Sequence, residues 1–171
     1  MARSVRSLTL SALMTALTAV LSPLCLPVGP VSLTLQTFAA ALTGYMLSPG
    51  EAFFSVCAYL LLGACGMPVF SGFAGGMGVL TGSTGGYLAG LPLMAALCAV
   101  GKRGRRMRFP AGLAGLLVVY AAGTAWLSHT AGVGFRKAVL TGAAPFLWKD
   151  VLSVVAADRL GQTILRRMRA S

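Results

Sequence analysis

The sequence predicts an all-α fold class: an integral membrane bundle of six transmembrane helices, formed by one domain (residues 1–171) with both termini in the cytoplasm. Three observations lead to this prediction. Of the 171 residues, 57% are hydrophobic and only 10% are charged, whereas a soluble domain carries about 25% charged residues. No charged side chain occurs from Leu8 to Gly50 or from Ala52 to Gly101, and about 20 apolar residues suffice to cross a bilayer. The basic residues cluster between the apolar segments.

Turn residues and charges divide the chain into six apolar segments, each interpreted as one helix. The first ends at Pro27, since proline stops a helix, and the second ends at Ser48-Pro49-Gly50. A glycine-rich connection over about residues 66–86 follows the third, and a basic loop over about residues 101–109 follows the fourth. Five or seven helices remain alternatives because boundaries drawn from pattern are imprecise. The six predicted helices cover residues 8–26, 33–47, 51–64, 87–100, 110–127 and 147–165, the last with a start nearer Leu140 as an alternative.

The distribution of basic residues predicts the topology. Eleven of the fourteen lie in residues 3–6, 102–108 and 159–169. Six spans place the N-terminus, the fourth-to-fifth loop and the C-terminus on one side, which the positive-inside rule makes cytoplasmic. The loops on the opposite, outer side carry only Arg136 and Lys137. The glycine-rich connection joins the third and fourth helices and is therefore one of these outer loops. We expect the first segment to be a retained helix rather than a cleaved signal peptide, because its apolar run is longer than a signal core.

Composition and motifs also exclude several function classes. The net charge is +11, but the basic clusters have no interleaved aromatic residues for stacking on nucleic acid. The chain has no Walker-type motif for ATP, and a single His129 without a C-x-x-C pair gives no zinc-ligand spacing. His129 has no acid placed to orient it for nucleophilic catalysis. We therefore predict no enzyme, metal or cofactor, and interpret the four cysteines as small buried packing residues.

The three carboxylates have different environments. Glu51 opens the third predicted helix, where an anion offsets the helix dipole. Asp158 precedes Arg159 near the cytoplasmic end, which indicates a solvated or paired surface charge. Asp150 lies in an apolar stretch near the outer end of the last helix, where a carboxylate is costly without a partner. A functional site is favoured there over a helix N-terminus at the membrane interface.

Lys149 precedes Asp150 directly. Adjacent helix positions point about 100° apart, so the two side chains need not pair with each other. A lysine at the membrane interface that reaches water is an equal alternative to a lysine in the site.

The glycine-rich connection is predicted to be a lid over a ligand cavity. Phe70 and Phe73 offer aromatic walls, Thr84 offers neutral hydrogen bonds, and Tyr87 offers a ring face and a hydroxyl. Such a lining suits a mostly apolar small molecule with an amide-like head group. The alternative is close helix packing by the glycines, but connections of about twenty residues are usually functional or disordered.

Ala12 and Ala16 place two small residues four positions apart in the first helix. Such spacing lets another helix approach closely. The partner is either an internal helix or another subunit, and the spacing alone favours the internal helix.

Four stretches carry a family resemblance: VSLTLQTF (31–38), YLLLGACGMPVF (59–70), TGSTGGYLAG (81–90) and APFLWKDVL (144–152). In this order and spacing they resemble the BioY family, the biotin-binding S components of energy-coupling-factor (ECF) transporters, over essentially the whole chain. The most specific element is G-x-T-G-G-Y-L after G-x-P-V-F. The resemblance implies a multi-pass protein of the bacterial cytoplasmic membrane that binds biotin, with high affinity, under the third-to-fourth loop. Biotin is then the transported ligand and not a cofactor.

The resemblance also implies partners and site residues. Ala12 and Ala16 would dock a transmembrane coupling subunit, and ATPase subunits would drive uptake. Asp150 would be the polar anchor on the last helix, and Gln36 would lie near the cavity. The other implied biotin-binding residues are Phe70, Phe73, Thr84, Gly85, Gly86, Tyr87 and Lys149.

Two positions depart from the family pattern. Ser83 replaces a common proline, which loosens the turn without removing a contact. Ser153 replaces a lysine that often lies one helical turn after the aspartate, so either Lys149 or backbone donors would contact the biotin carboxylate. Three alternatives stay open: a different vitamin as ligand, a membrane scaffold without a small-molecule site, and a homo-oligomer.

Overall fold

The computed structural model describes residues 5–28, 31–102, 104 and 106–170 as eight α-helices and one β-hairpin. The helical class is confirmed, and the hairpin is an addition to it. The predicted turn at residues 29–30 and the predicted cytoplasmic Arg3 lie outside the described residues. The elements are α1 (Val5–Leu21), β1 (Cys25–Val28), β2 (Val31–Thr34), α2 (Gln36–Met46), α3 (Pro49–Ala64), a 3-10 turn (Ser71–Phe73), α4 (Met77–Thr81), α5 (Gly85–Gly101), α6 (Arg108–Ala131), α7 (Phe135–Gly142) and α8 (Leu147–Ala170).

The hairpin shortens the first two predicted helices. α1 ends at Leu21 and α2 begins at Gln36, and between them β1 and β2 pair antiparallel with Cys25 opposite Thr34. Pro23 explains the early end of α1, because proline lacks the N–H that would continue the helical hydrogen bonds. The chain therefore enters α2 from the strand β2.

The centre of the bundle is α2, which contacts α1, α3, α5 and α8. Residues 39–41 are all alanine and at most 1% exposed, and Tyr45 is fully buried. Small side chains let four neighbouring helices approach one short helix closely. The Tyr45 hydroxyl donates to the Arg108 carbonyl at 3.0 Å, which ties α2 to the start of α6.

The most extensive helix pair is α5 and α6. A Cβ added at Gly90 would lie 2.8 Å from the Val119 Cα, a distance at which the two backbones would have to separate. Gly115 on α6 meets Met94 in the same way, with 2.8 Å from an added Cβ to the Met94 Cγ. Glycines on both helices therefore set the closeness of this pair.

The last predicted helix (147–165) corresponds to α8, and the shorter helix α7 precedes it. α7 and α8 are separated by a bend of 53°, and Pro145 lies in the break, where proline disfavours helical backbone at the preceding residue. α8 begins at Leu147 as predicted but continues to Ala170. The apolar pattern near Leu140 belongs to α7.

Helix length does not confirm six spans. Among the described residues, α6 is long and apolar enough to cross a membrane, and α7 with α8 is a second such span if the bent pair is counted as one. The helices α1, α3 and α5 are apolar but have 17, 16 and 17 residues.

The carboxylates of Glu51 and Asp158 both have polar partners. Glu51 accepts a hydrogen bond from the Ser48 backbone N–H at 3.0 Å, which confirms its predicted role at the start of α3. Asp158 is paired, but with Arg108 on α6 (3.0 Å) rather than with the adjacent Arg159.

The cysteines fit their predicted packing role only in part. All four thiols are free, and Cys98 is buried. Cys65 is exposed, because it caps the end of α3, where the chain turns into the glycine-rich connection.

Gly90→Ala is expected to lower the free energy of unfolding by about 1–3 kcal/mol, because the added methyl group overpacks the contact with Val119. Thermal unfolding of the purified protein in detergent measures the effect. Gly50→Ala is the matched control, since a Cβ there meets nothing within 4 Å. Equal unfolding midpoints for the two variants would contradict the assigned role of Gly90.

Candidate functional site

A cavity of about 370 Å³ lies between the glycine-rich connection and the ends of α2, α5, α6 and α8. Lys149 and Asp150 are the only charged residues in its described lining; the rest is apolar, aromatic or neutral and polar. The lining residues are Thr34, Gln36, Thr37, Phe70, Ser71, Ala74, Gly78, Val79, Gly82, Ser83, Thr84, Tyr87, Leu88, Leu91, Val119, Tyr120, Gly142, Phe146, Lys149 and Asp150.

The Asp150 carboxylate is the polar centre of the cavity. The residue is only 6% exposed. Its Oδ1 accepts a hydrogen bond from the Thr37 hydroxyl at 2.6 Å, and its Oδ2 accepts one from the Tyr120 hydroxyl. These bonds join α2, α6 and α8 at one point. A buried carboxylate is tolerated when it is paired in this way.

Lys149 forms an ion pair with Asp150. Its ammonium group also donates to the Thr34 carbonyl at 2.7 Å and to the Thr37 hydroxyl at 3.3 Å. The two neighbours pair although their positions diverge, because the flexible four-carbon stem of lysine reaches back over the carboxylate. The side chain of Lys149 is 18% exposed and lies in the cavity lining, and a ligand contact for it stays a prediction.

Two tyrosines form an aromatic wall. The rings of Tyr87 and Tyr120 pack edge to face, with centroids 6.3 Å apart. The Tyr87 hydroxyl donates to the Gly142 carbonyl at 3.0 Å, which fixes α5 against the end of α7. A Cβ at Gly123 would lie 2.2 Å from the Tyr87 ring, so the absence of a side chain on α6 makes room for this wall.

Gln36 begins α2 at the cavity surface, as expected. Its amide donates to the Tyr59 hydroxyl at 2.6 Å, and that hydroxyl donates to the Val69 carbonyl at 3.2 Å. The Phe70 ring, which lines the cavity, packs edge to face on Tyr59 with centroids 5.7 Å apart. A polar contact of the cavity wall is thereby linked to the start of the glycine-rich connection.

The glycine-rich connection is attached to the bundle on two sides. On one side the Gly76 N–H donates to the Gly63 carbonyl at 2.7 Å, at the end of α3. On the other side the Trp126 indole N–H donates to the Gly82 carbonyl at 2.9 Å, from α6. Between them lies α4, which supplies Gly78 and Val79 to the lining. We call the whole connection from residue 66 to residue 84 the lid.

The structure brings six of the nine proposed ligand contacts together. Gln36, Phe70, Thr84, Tyr87, Lys149 and Asp150 all line the cavity.

The other three lie elsewhere in this arrangement. Phe73 is 66% exposed. Gly85 and Gly86 are buried at the start of α5, where an added Cβ would lie 1.8 Å from the Leu80 carbonyl oxygen and 2.3 Å from the Trp126 Cβ, respectively. These two glycines fit the packing interpretation, and a direct ligand contact for any of the three stays a prediction.

Sequence reasoning missed Thr37 and Tyr120, the partners of the carboxylate. A signal was present, because a buried aspartate needs donors, and hydroxyl groups in apolar segments are the available ones. Sequence alone did not indicate which of those hydroxyl groups faces Asp150.

Ala12 and Ala16 are both exposed on α1. Spacing alone favoured an internal helix as their partner, and that interpretation is wrong. The residues of α1 that pack inward are Met14 and Thr18, because they lie on the opposite face. The two alanines are therefore available to another protein or to lipid.

The geometry defines a class: a helical ligand-binding protein whose cavity holds one buried ion pair under a glycine-rich lid. The chain belongs to the BioY family, whose model matches residues 1–170. Members of this family are transporter components, not enzymes, and this chain is accordingly a membrane protein.

Individual relatives agree with this membership. A probable biotin transporter BioY of Pyrococcus horikoshii is 41% identical over 91% of this chain and 96% of the relative. The biotin transporter BioY of Thermotoga maritima is 40% identical over 89% of this chain and 91% of the relative. Among solved structures, the S-component for biotin from an ECF-type ABC transporter is similar, with a TM-score of 0.85 and 27% identity over 98% of this chain and 92% of that chain.

Thr37→Val is expected to lower the free energy of unfolding by about 1–3 kcal/mol, because Asp150 loses a hydrogen-bond donor in a buried position. Thermal unfolding in detergent measures this. Thr163→Val is the control, since the exposed Thr163 hydroxyl donates to the Arg159 carbonyl of its own helix. A Thr37→Val protein as stable as this control would show that Asp150 does not depend on Thr37.

Proposed function

We propose that this chain is the biotin-binding, substrate-specific component of an ATP-driven ECF importer. The observation that carries the proposal is the cavity under the lid, with its largely neutral lining around one acid–base pair. Membership in the BioY family and relatives named as biotin transporters support the same ligand.

The chemistry of biotin fits this lining. Biotin has a neutral ureido group, an apolar thioether ring and chain, and one carboxylate. Leu88, Leu91 and Val119 provide apolar surface, and the volume of about 370 Å³ lies within the range of small-molecule pockets. A carboxylate has about four lone-pair sites. Asp150 accepts from Thr37, Tyr120 and Lys149, and therefore retains capacity for one charge-assisted bond from a ureido N–H group.

The position of Lys149 determines whether it can contact the biotin carboxylate. Lys149 is held against Asp150, whereas the ureido and carboxylate groups lie at opposite ends of an extended biotin molecule. If Asp150 binds the ureido group, Lys149 in this position is at the wrong end for the carboxylate. The lid then supplies neutral donors, with Ser83 and Thr84 in the lining. In the reverse orientation Lys149 binds the carboxylate and the lid receives the ureido group.

We further propose six membrane crossings with both termini in the cytoplasm. Four crossings are the single helices α1, α3, α5 and α6. The hairpin together with α2 forms a fifth, and α7 together with α8 forms the sixth. The excess of basic residues at the α5–α6 loop and in the C-terminal half of α8 supports this orientation. Helices of 16 or 17 residues span only about 24–26 Å, and local thinning of the bilayer accommodates such short spans.

Uptake against a gradient needs partners, because the sequence contains no ATP-binding motif of the Walker type. The exposed Ala12 and Ala16 are the proposed contact for a transmembrane coupling subunit, which ATPase subunits would drive. A scaffold without a small-molecule site remains the alternative, and so does another vitamin in the same cavity.

Asp150→Asn is expected to weaken biotin binding by at least about tenfold, since a charge-assisted hydrogen bond becomes a neutral one. Titration calorimetry on the purified protein measures the dissociation constant. Asp158→Asn is the control, because Asp158 pairs with Arg108 away from the cavity lining, and its affinity should equal that of the unmodified chain. If the unmodified, folded protein binds no biotin, the proposal is refuted. Competition of labelled biotin by a panel of vitamins would identify a different ligand.

Ala12→Leu with Ala16→Leu is expected to reduce partner-dependent biotin uptake by at least about tenfold, because bulky side chains prevent close helix packing. Biotin binding to the isolated chain should not change, since both positions are exposed. Ala121→Leu, at an exposed position on α6, is the control and should leave uptake intact. Loss of binding together with uptake would contradict a docking role.

A further inference from the structure

We propose that Tyr59 is a positioning residue that couples the cavity wall to the lid and thereby sets how long biotin stays bound. Tyr59 is fully buried on α3 and is not among the lining residues. It therefore acts through the residues that it holds. The proposal rests on the proposed biotin function.

The first step is a directed chain of hydrogen bonds. The Gln36 amide, at the cavity surface, donates to the Tyr59 hydroxyl at 2.6 Å, and this hydroxyl donates to the Val69 carbonyl at 3.2 Å. Each bond polarises the next in such a chain. A ligand that engages Gln36 consequently changes the strength with which Tyr59 holds the backbone of the lid.

The second step is the packing of Phe70. Its ring is 1% exposed and lies edge to face against Tyr59, with 5.7 Å between centroids. A Cβ at Gly63 would lie 2.1 Å from the ring, so α3 has a space into which the ring fits. Phe70 also lines the cavity. Tyr59 thus fixes both the backbone before Phe70 and the side chain of Phe70 itself.

The third step concerns the length of lid that depends on these contacts. The Phe70 N–H donates to the Ala74 carbonyl at 2.9 Å, which closes a small loop. Ser71 and Ala74 in that loop line the cavity. If Tyr59 releases Val69, this half of the lid loses a side-chain attachment while the Trp126 attachment of the other half remains.

Tyr59→Phe tests the proposal because it keeps the ring contact and removes only the hydroxyl. We expect the dissociation rate of labelled biotin to rise about tenfold, which corresponds to about 1.4 kcal/mol. The association rate should not fall, since the cavity lining is unaltered and a loosened lid does not hinder entry. Stopped-flow or filter-binding measurements on the purified protein give both rates.

The control is Tyr45→Phe, which also removes the hydroxyl group of a buried tyrosine. Tyr45 is also fully buried, and its hydroxyl donates to the Arg108 carbonyl at 3.0 Å at the other end of the bundle. A purely structural role for Tyr59 predicts a loss of thermal stability with an unchanged dissociation rate for both variants, and that result would overturn the proposal.

A second variant keeps the proposal testable if Tyr59→Phe does not fold. Gly63→Ala displaces the Phe70 ring without altering Tyr59, and we expect it also to speed biotin release. Release at the rate of the unmodified protein would overturn the coupling. Absence of biotin binding in the unmodified chain is a different result, since it refutes the proposed function itself.

Discussion

The structure depends on one buried carboxylate. Asp150 is held by hydroxyl groups of Thr37 on α2 and Tyr120 on α6, and by the ammonium group of Lys149 beside it. A buried carboxylate without partners would cost several kcal/mol, so the ends of three helices must meet at this point. The cavity lies where they meet. The group best placed to bind a ligand is therefore also the group that fixes the shape of the site.

Glycines on α5 and α6 make room for the aromatic residues near the same site. Gly86 lets Trp126 pack against α5, and Gly123 leaves room for the ring of Tyr87. In both cases the absence of a side chain on one helix brings an aromatic residue of the other into position. Part of the glycine-rich motif thus acts through helix packing and part through the lid. Gly85 and Gly86 fit the packing interpretation, whereas Gly78 and Gly82 line the cavity, where the ligand-binding interpretation stays a prediction.

The apolar segments were predictable because their information is local. Predicted helices at 51–64 and 87–100 correspond to α3 (Pro49–Ala64) and α5 (Gly85–Gly101), since charge-free runs and turn residues bound them. The strand pairing was not predicted, because it joins Cys25 to Thr34, and no local pattern specified that pairing. The helix α7 was not predicted as a separate element, because Arg136 and Lys137 interrupt the apolar pattern there.

The candidate site shows the same division. Asp150 was identifiable because a carboxylate in an apolar stretch is costly wherever the chain folds. Its partners were not, because Thr37 and Tyr120 are distant in sequence and their meeting depends on how α2 and α6 pack. The faces of α1 were also undetermined, since Ala12 and Ala16 have suitable spacing for an internal contact or an external one. Tertiary packing decided what local spacing left open.

The lid is held in place over the cavity by a few individual hydrogen bonds. Its backbone is held to α3 by the Tyr59 hydroxyl at Val69 and by the Gly63 carbonyl at the Gly76 N–H. It is held to α6 by the Trp126 indole at Gly82. Each of these is a single hydrogen bond, with a net contribution of about 1 kcal/mol. The Asp150 carboxylate, in contrast, is tied into the packing of three helices. Motion that admits a ligand is therefore expected in the lid, while the anchor stays fixed, because the free energy needed to open each part differs in that order.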